Sequence, residues 1–303
     1  MLVLKSPRFL NGPGLAQAAA MSRRAPAGVW VCSLLLLLVL TFAKGAEAQG
    51  AAPPPPVAQE DLTMPVASEP TFSLLNLPTT LRLPKHKMSF NLTHRFQGDL
   101  TEGTFTDQLS NLFGIDNGAV IGFELRYAPV EHTQVVFYRN TIDRTIQFTG
   151  QFDYWRQRGS LPISISPIVA IEGGDNFSES FSPSLGATIS RTMGDHGALY
   201  AVPMWVHNSA ASTDETRDTF FFGMGARMRI KSSRAYLVGE VTPRLAGYEP
   251  GDPVYAFGIE SRVGGHMFSL VFQNGFATTF GQLSRGGFPD ALYFGFNLGR
   301  KFF

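Results

Sequence analysis

The sequence predicts an all-β fold, a transmembrane β-barrel of the outer-membrane type with about 12 antiparallel strands, and three observations predict it. Between Met88 and Phe303 the chain breaks into about twelve segments that alternate apolar and polar residues. The connections between them run long, short, long, short to the final aromatic residue. Ahead of them come a secretory signal and a proline-rich region, which divide the chain into residues 1–48, 49–87 and 88–303.

The signal opens with Arg23 and Arg24, continues as an apolar run from Gly28 to Phe42, and ends in Ala46-Glu47-Ala48, with cleavage expected near Gln49. The run falls short of the ~20 residues that a comfortable membrane-spanning helix needs. Met21 sits where such a signal normally begins, which makes residues 1 to 20 a candidate misassigned start. The paired arginines do not make a twin-arginine address, because Ala25-Pro26 follows them in place of an apolar motif and a barrel crosses the inner membrane unfolded. The single cysteine, Cys32, lies inside the signal, so the mature chain has no thiol for a disulfide, a metal or a nucleophile.

Residues 49 to 87 read as an extended periplasmic linker, because Ala51-Ala52-Pro53-Pro54-Pro55-Pro56 and the prolines at 65, 70, 78 and 84 fix φ and withdraw backbone donors. Its second half, Phe72-Ser73-Leu74-Leu75-Asn76-Leu77-Pro78, is too apolar for a linker alone. Three readings stand: a segment packed at the periplasmic rim, a plug entering the lumen, or a strand that docks a partner.

The barrel segments are 88 to 96, 119 to 127, 133 to 139, 145 to 156, 162 to 172, 182 to 192, 198 to 207, 219 to 230, 235 to 245, 254 to 263, 267 to 274 and 291 to 303. Most have close to the ~9–11 residues of a tilted transmembrane strand. In the second, Ile121, Phe123, Leu125 and Tyr127 share the lipid face while Gly122, Glu124 and Arg126 share the inner one. The eighth repeats this with Phe220, Phe222, Met224, Ala226 and Met228 against Gly223, Gly225, Arg227 and Arg229, and the tenth with Tyr255, Phe257 and Ile259 against Gly258, Glu260 and Arg262. Tight turns such as Gly194-Asp195-His196-Gly197 and Gly264-Gly265-His266 are expected on the periplasmic side, where both termini then lie. The longer connections, 97 to 118, 173 to 181, 208 to 218, 246 to 253 and 275 to 290, are expected outside, with 140 to 144 a short exception. At the C-terminus the apolar register Leu292, Phe294, Phe296, Leu298 runs to Phe302, interrupted by Arg300, which can snorkel into headgroups.

Of 25 Lys and Arg and 24 Asp and Glu, residues 1–48 hold five and one, which leaves 20 against 23 and a mature net charge of about −3. Nothing here is basic enough for nucleic acid. The expected partners are outer-membrane lipid, the barrel assembly machinery, a small-molecule solute and, through 49–87, a periplasmic protein.

Function is expected in the lumen and the loops. The inward positions carry Arg95, Arg126, Arg227, Arg229, Arg244 and Arg262 against Glu124, Asp153, Glu172, Glu240 and Glu260. They form either an ion-pair network that satisfies buried charge and stiffens the wall, or a constriction in which arginines facing carboxylates sort small solutes by charge and size. Twelve strands fall between the ~8 of side-chain-filled barrels and the ~16 of open porins, so a narrow or loop-gated channel is expected. The last loop, with Phe276, Phe280 and Phe288 among glycines, is the candidate gate, since glycines let it fold inward.

A closed barrel serving as a structural or docking component is the alternative, and an outer-membrane lipid hydrolase comes third. Hydrolysis needs a serine and a histidine in reach of one another. The best-placed base, His94, shares the lipid side with Phe90, Leu92 and Phe96, whereas Ser89 is on the opposite face, so no catalytic residue is assigned. His132, His196 and His266 lie in short turns and His207 opens a long loop, without metal-ligand spacing, so neither metal nor cofactor is expected. The acidic loops, with Asp99, Glu102, Asp107 and Asp116 in one and Asp214, Glu215 and Asp218 in another, read as solvated.

Several phrases add a resemblance. Asn91-Leu92-Thr93-His94-Arg95-Phe96, Asn111-Leu112-Phe113-Gly114-Ile115-Asp116, the run from Phe272 to Gln282, and Phe294-Gly295-Phe296-Asn297-Leu298-Gly299-Arg300-Lys301-Phe302 resemble the β-barrel family called domain of unknown function 5777, from about Pro78 to the C-terminus. The resemblance implies an outer-membrane barrel of Gram-negative bacteria and carries no activity and no functional residues.

Overall fold

The computed structural model describes residues 68–210, 217–231, 233–249 and 251–302. The signal, Cys32, the first part of the linker, Asp214, Glu215 and Phe303 lie outside the described residues.

The described strands are β1 (Met88–Asp99), β2 (Ala119–Val130), β3 (Thr133–Asn140), β4 (Ile146–Phe152), β5 (Ser164–Gly173), β6 (Glu179–Thr192), β7 (Gly197–Val206), β8 (Thr219–Arg229), β9 (Ala235–Thr242), β10 (Arg244–Gly247), β11 (Val254–Val263), β12 (His266–Gln273) and β13 (Tyr293–Lys301). All pair antiparallel in one sheet, which closes because β1 pairs with β13 and β8 with β9. β9 and β10 form one stave, interrupted at Pro243, because proline has no N–H to give the ladder. The ring is thus a closed barrel of 12 staves.

The faces follow the alternation. Ile121, Leu125 and Tyr127 on β2, Met224 and Met228 on β8, and Tyr255, Phe257 and Ile259 on β11 are exposed on the outside, where lipid is the solvent that apolar side chains need. His94 lies on that face between the rings of Phe96 and Phe296, at 4.5 and 4.9 Å, while Ser89 is buried on the inner one. Several boundaries differ from the expected ones, β1 running on to Asp99 and β6 starting at Glu179, and the largest change is that β4 stops at Phe152, where Asp153 turns inward because buried donors await it, Gln151 at 3.1 Å, Ser166 at 2.7 Å and Gln134.

In the first long loop, helix α1 (Phe105–Ser110) is capped by Thr104, whose backbone and hydroxyl both donate to Asp107. The last loop carries helix α2 (Phe280–Arg285), and here Phe280, Gly281, Gln282, Leu283 and Ser284 are buried.

Inside, the wall has two unlike arcs. From β7 through β8 and β9 to β11 it is mostly apolar, with Ala198, Tyr200, Val202, Met204 and Val206 on β7 and Phe221, Val238, Val254 and Ala256 beyond, and Arg227, Glu240 and Glu260 set among them. From β13 through β1, β2 and β3 to β4 it is mostly polar, with Asn297, Ser89, Thr93, Arg126, Gln134, Gln147 and Gln151 buried.

The chain before β1 does not stop at the rim. Phe72 to Thr79 form a tight hairpin, with the Leu74 amide donating to the Leu77 carbonyl at 2.8 Å and that of Thr79 to Phe72 at 2.9 Å. Its tip residues Leu74, Leu75 and Leu77 are buried in the apolar cluster of β7–β11. The physical reason is that apolar surface lining a barrel must be covered, and three leucines cover it at about 1.5–3 kcal/mol each.

Candidate functional site: the occupied lumen

The hairpin tip is held by wall side chains atom by atom. Glu240 of β9 accepts the backbone amides of Leu75, Asn76 and Leu77, each within 2.9–3.1 Å, and the Asn76 carboxamide at 2.7 Å. Arg95 of β1 donates to Asn76 Oδ1 at 3.1 Å and to Asn297 Oδ1 at 2.8 Å, and Asn297 in turn donates to the Leu75 carbonyl at 2.9 Å. Asn76 therefore sits between a guanidinium and a carboxylate, its oxygen toward one and its nitrogen toward the other.

Nearer the short-turn end, Arg227 makes a buried ion pair with Glu260 at 2.7 Å and donates to the Ser73 carbonyl at 2.9 Å and the Thr71 hydroxyl. Glycines make room for the tip, since a Cβ at Gly225 would lie 2.3 Å from Leu74 Cδ1 and one at Gly223 2.9 Å from Leu77 Cδ2. Against the polar arc, Gln151 and Gln134 donate to the carbonyls of Thr79 and Leu81 at 2.8 and 2.9 Å.

The other charged positions fall into three places. Arg126 pairs with Glu124 at 3.1 Å and lies over the Phe72 ring. Arg244, toward the long-loop end, donates to the Asp252 carbonyl at 2.8 Å. Arg229 and Arg262 both bond turn carbonyls at the short-turn rim, those of Ser233 and Gly264, because their strands end there, and Arg262 lines the cleft that reaches that end. Asp153 stands below the hairpin with Arg82, which donates to its carbonyl at 2.9 Å.

A small polar cleft of about 50 Å³, room for a few waters, remains between the hairpin and the polar arc, lined by Asn76, Asn91, Thr93, Tyr138, Gln147 and Gln151 among others. It shares Ser73, Asn91 and Glu124 with a cleft of about 40 Å³ that reaches the short-turn end. At the far side Thr278 and Phe280 line it, and the wall holds the last loop there by hydrogen bonds. The Phe280 amide donates to Gln147 and that of Gly281 to Glu172, both at 2.9 Å, while Asn140 donates to Thr278 and Gln282, also at 2.9 Å. Position 281 must be glycine for this approach, since a Cβ would lie 2.0 Å from Glu172 Oε1.

Of the three candidate gate residues, Phe280 is buried in the lumen cluster, whereas Phe276 and Phe288 pack on one another at 5.8 Å and on Tyr293. Among the described residues no group of His, Cys, Asp or Glu is arranged to hold a metal ion. The neutral members of the site include Gln273, which accepts from Asn76 at 2.9 Å and from Arg95 at 3.4 Å. Gln134, Gln151, Gln273 and Asn297 had a sequence signal in their inward strand register, whereas Asn76, on the hairpin, had none. The covered apolar arc had a signal too: Gly197–Val206 is apolar on both faces, the mark of a strand buried on both sides.

No curated protein matches the chain. Among solved structures it is similar to the NanC porin, at 6% identity over 70% of this chain and 97% of that one, with a TM-score of 0.46. It is also similar to a triple mutant of Rh. blastica porin, at 12% identity over 60% of this chain and 55% of that one, with a TM-score of 0.32. The family model described as membrane bound beta barrel domain, domain of unknown function 5777, matches residues 71–302, a span that takes in both the closed barrel and the hairpin inside it, and the chain belongs to that family.

Proposed function

We propose that the protein is an outer-membrane channel for small solutes, shut in the described state by its own hairpin from the periplasmic side and by the α2 loop from outside. The tight turns and both termini then face the periplasm. The observation that carries this reading is the polar cleft. A barrel serving only as a rod gains by filling its polar arc as tightly as its apolar one, since protein interiors are close-packed. Here amide and hydroxyl groups line a space left to water, with Thr278 and Phe280 of the last loop at its far side.

The test is planar-bilayer recording of the processed chain against a heat-treated control. Discrete steps are expected, and the Asn140→Ala, Gln147→Ala variant, which loses the bonds of Asn140 to Thr278 and Gln282 and of the Phe280 amide to Gln147, should open more often. At about 1 kcal/mol per bond the open fraction rises by one to two orders of magnitude. Silence from both folded proteins would sink the channel. It would favour a second reading that the fully bonded Glu240 supports, a closed barrel that displays residues 49–67 to periplasmic partners.

A further inference from the structure

The wall recognises the hairpin chiefly through its backbone. Eight main-chain groups are bonded by six wall side chains: the carbonyl of Ser73 by Arg227, the amides of Leu75, Asn76 and Leu77 by Glu240, the carbonyl of Leu75 by Asn297, that of Pro78 by Thr188, and those of Thr79 and Leu81 by Gln151 and Gln134. Main-chain groups are common to every peptide, so this recognition is indifferent to sequence, while apolar slots beside it select side chains. Those slots are the Gly223 and Gly225 clearances that admit Leu77 and Leu74. Arg227, fully buried, keeps a further donor, Nη1, without a partner.

From this we infer that the lumen is a peptide-binding site and that the N-terminal hairpin is its tethered first ligand. The solute class is short peptides with apolar side chains, whose carbonyls replace those of Ser73, Leu75, Thr79 and Leu81 and whose amides or terminal ammonium replace the donors on Glu240. The substrate class rests on the channel reading above; the binding site itself does not. A tethered ligand acts at an effective concentration in the ~mM range, so a free peptide binds poorly until the hairpin is released.

The experiment releases the hairpin and leaves the wall intact. In the full chain, Leu74→Asp with Leu77→Asp places two charges against the apolar arc, and a fluorescent synthetic peptide of residues 70–83 is titrated against the folded protein in detergent by anisotropy. Binding at least tenfold tighter than to the unsubstituted chain is expected, lost at least tenfold on adding Glu240→Gln, and reversed by an unrelated apolar peptide but not by a disaccharide of similar size. As a check that needs no variant, excess unlabelled peptide should displace the hairpin of the unsubstituted chain and speed tryptic cleavage after Arg82.

Absence of both effects overturns the inference. So does binding that only the chain's own sequence can compete for, since the hairpin is then a plug and nothing more. Bilayer currents separate this from the channel reading: peptide binding without any current removes the channel and keeps the site, and current without peptide binding or block does the reverse.

Discussion

The two arcs of the lumen solve the same problem by opposite means. Along β7–β11 the wall offers mainly non-directional apolar surface, in which Arg227, Glu240 and Glu260 are set with bonding partners, and the leucines of the hairpin bury against it until Leu77 and Val202 have no exposure left. Along β13–β4 the wall offers directional groups, which must be matched one by one, and the hairpin matches only some of them. Apolar contact seals, because any gap forfeits dispersion energy. Polar contact leaves a path, because water can serve any group that the protein does not. On the proposed channel reading, that difference puts closure on one side of the barrel and passage on the other.

The largest test of that division falls where the apolar arc carries charge. Glu260→Ala leaves the wholly buried Arg227 guanidinium with only the Thr71 hydroxyl and the Ser73 carbonyl. An uncompensated buried charge costs about 3–5 kcal/mol, so the temperature at which the folded barrel loses its heat-modifiable migration should fall clearly. Glu260→Gln, which keeps an acceptor, should fall less. Equal melting of all three proteins would mean that water reaches Arg227 and that the arc is not dry.

A smaller effect comes from truncating the tip. Leu77→Ala should weaken hairpin docking by about 2–5 kcal/mol, the range for buried leucines, read as faster proteolysis before residue 88. On the opposite arc Thr149→Val should stay within about 0.5 kcal/mol, since Thr149 faces the cleft and accepts one long bond, 3.3 Å from Gln147. If Thr149→Val instead matched Leu77→Ala, the polar arc would be packed as the apolar one is, and the proposed path would close.

The barrel was legible because its determinants are local. Period-two alternation put Met224, Met228 and Tyr255 outside, and two-residue turns such as Gly264-Gly265 fixed the pairing on either side. The interior was less so. Arg95, Glu240 and Glu260 read correctly as inward, yet what each bonds depends on which strands close the ring, and Asn76 joins Arg95 to Glu240 from a segment far away in sequence. Leu74, Leu75 and Leu77 read as too apolar for a linker, which left rim packing, a plug in the lumen and a docking strand as rival claims on the same residues. Their destination was written in β7, whose inner residues needed a cover that the strand pattern alone does not supply.

Acidity should move the hairpin least, and the sign follows from where Glu69 sits. On the arm that enters the lumen its carboxyl accepts the Thr80 amide at 3.0 Å and hydroxyl at 3.1 Å, with Tyr200 of β7, Arg227 of β8 and Arg156 around it. Burial raises its pKa above the ordinary 4.5, and the two arginines and Thr80 only partly offset that. A carboxyl raised on docking binds its proton more tightly docked than free, so its contribution is full below 4.5 and is lost as pH rises through the docked value. Cleavage after Arg82 by an excess of protease active at both pH values should therefore be a few-fold faster at neutral pH than in mild acid, after correction for the protease's own profile. Glu69→Gln, which cannot ionise, should remove the difference. A dependence that survives this substitution would place the titrating group elsewhere, and the entering arm would then be held by its leucines alone.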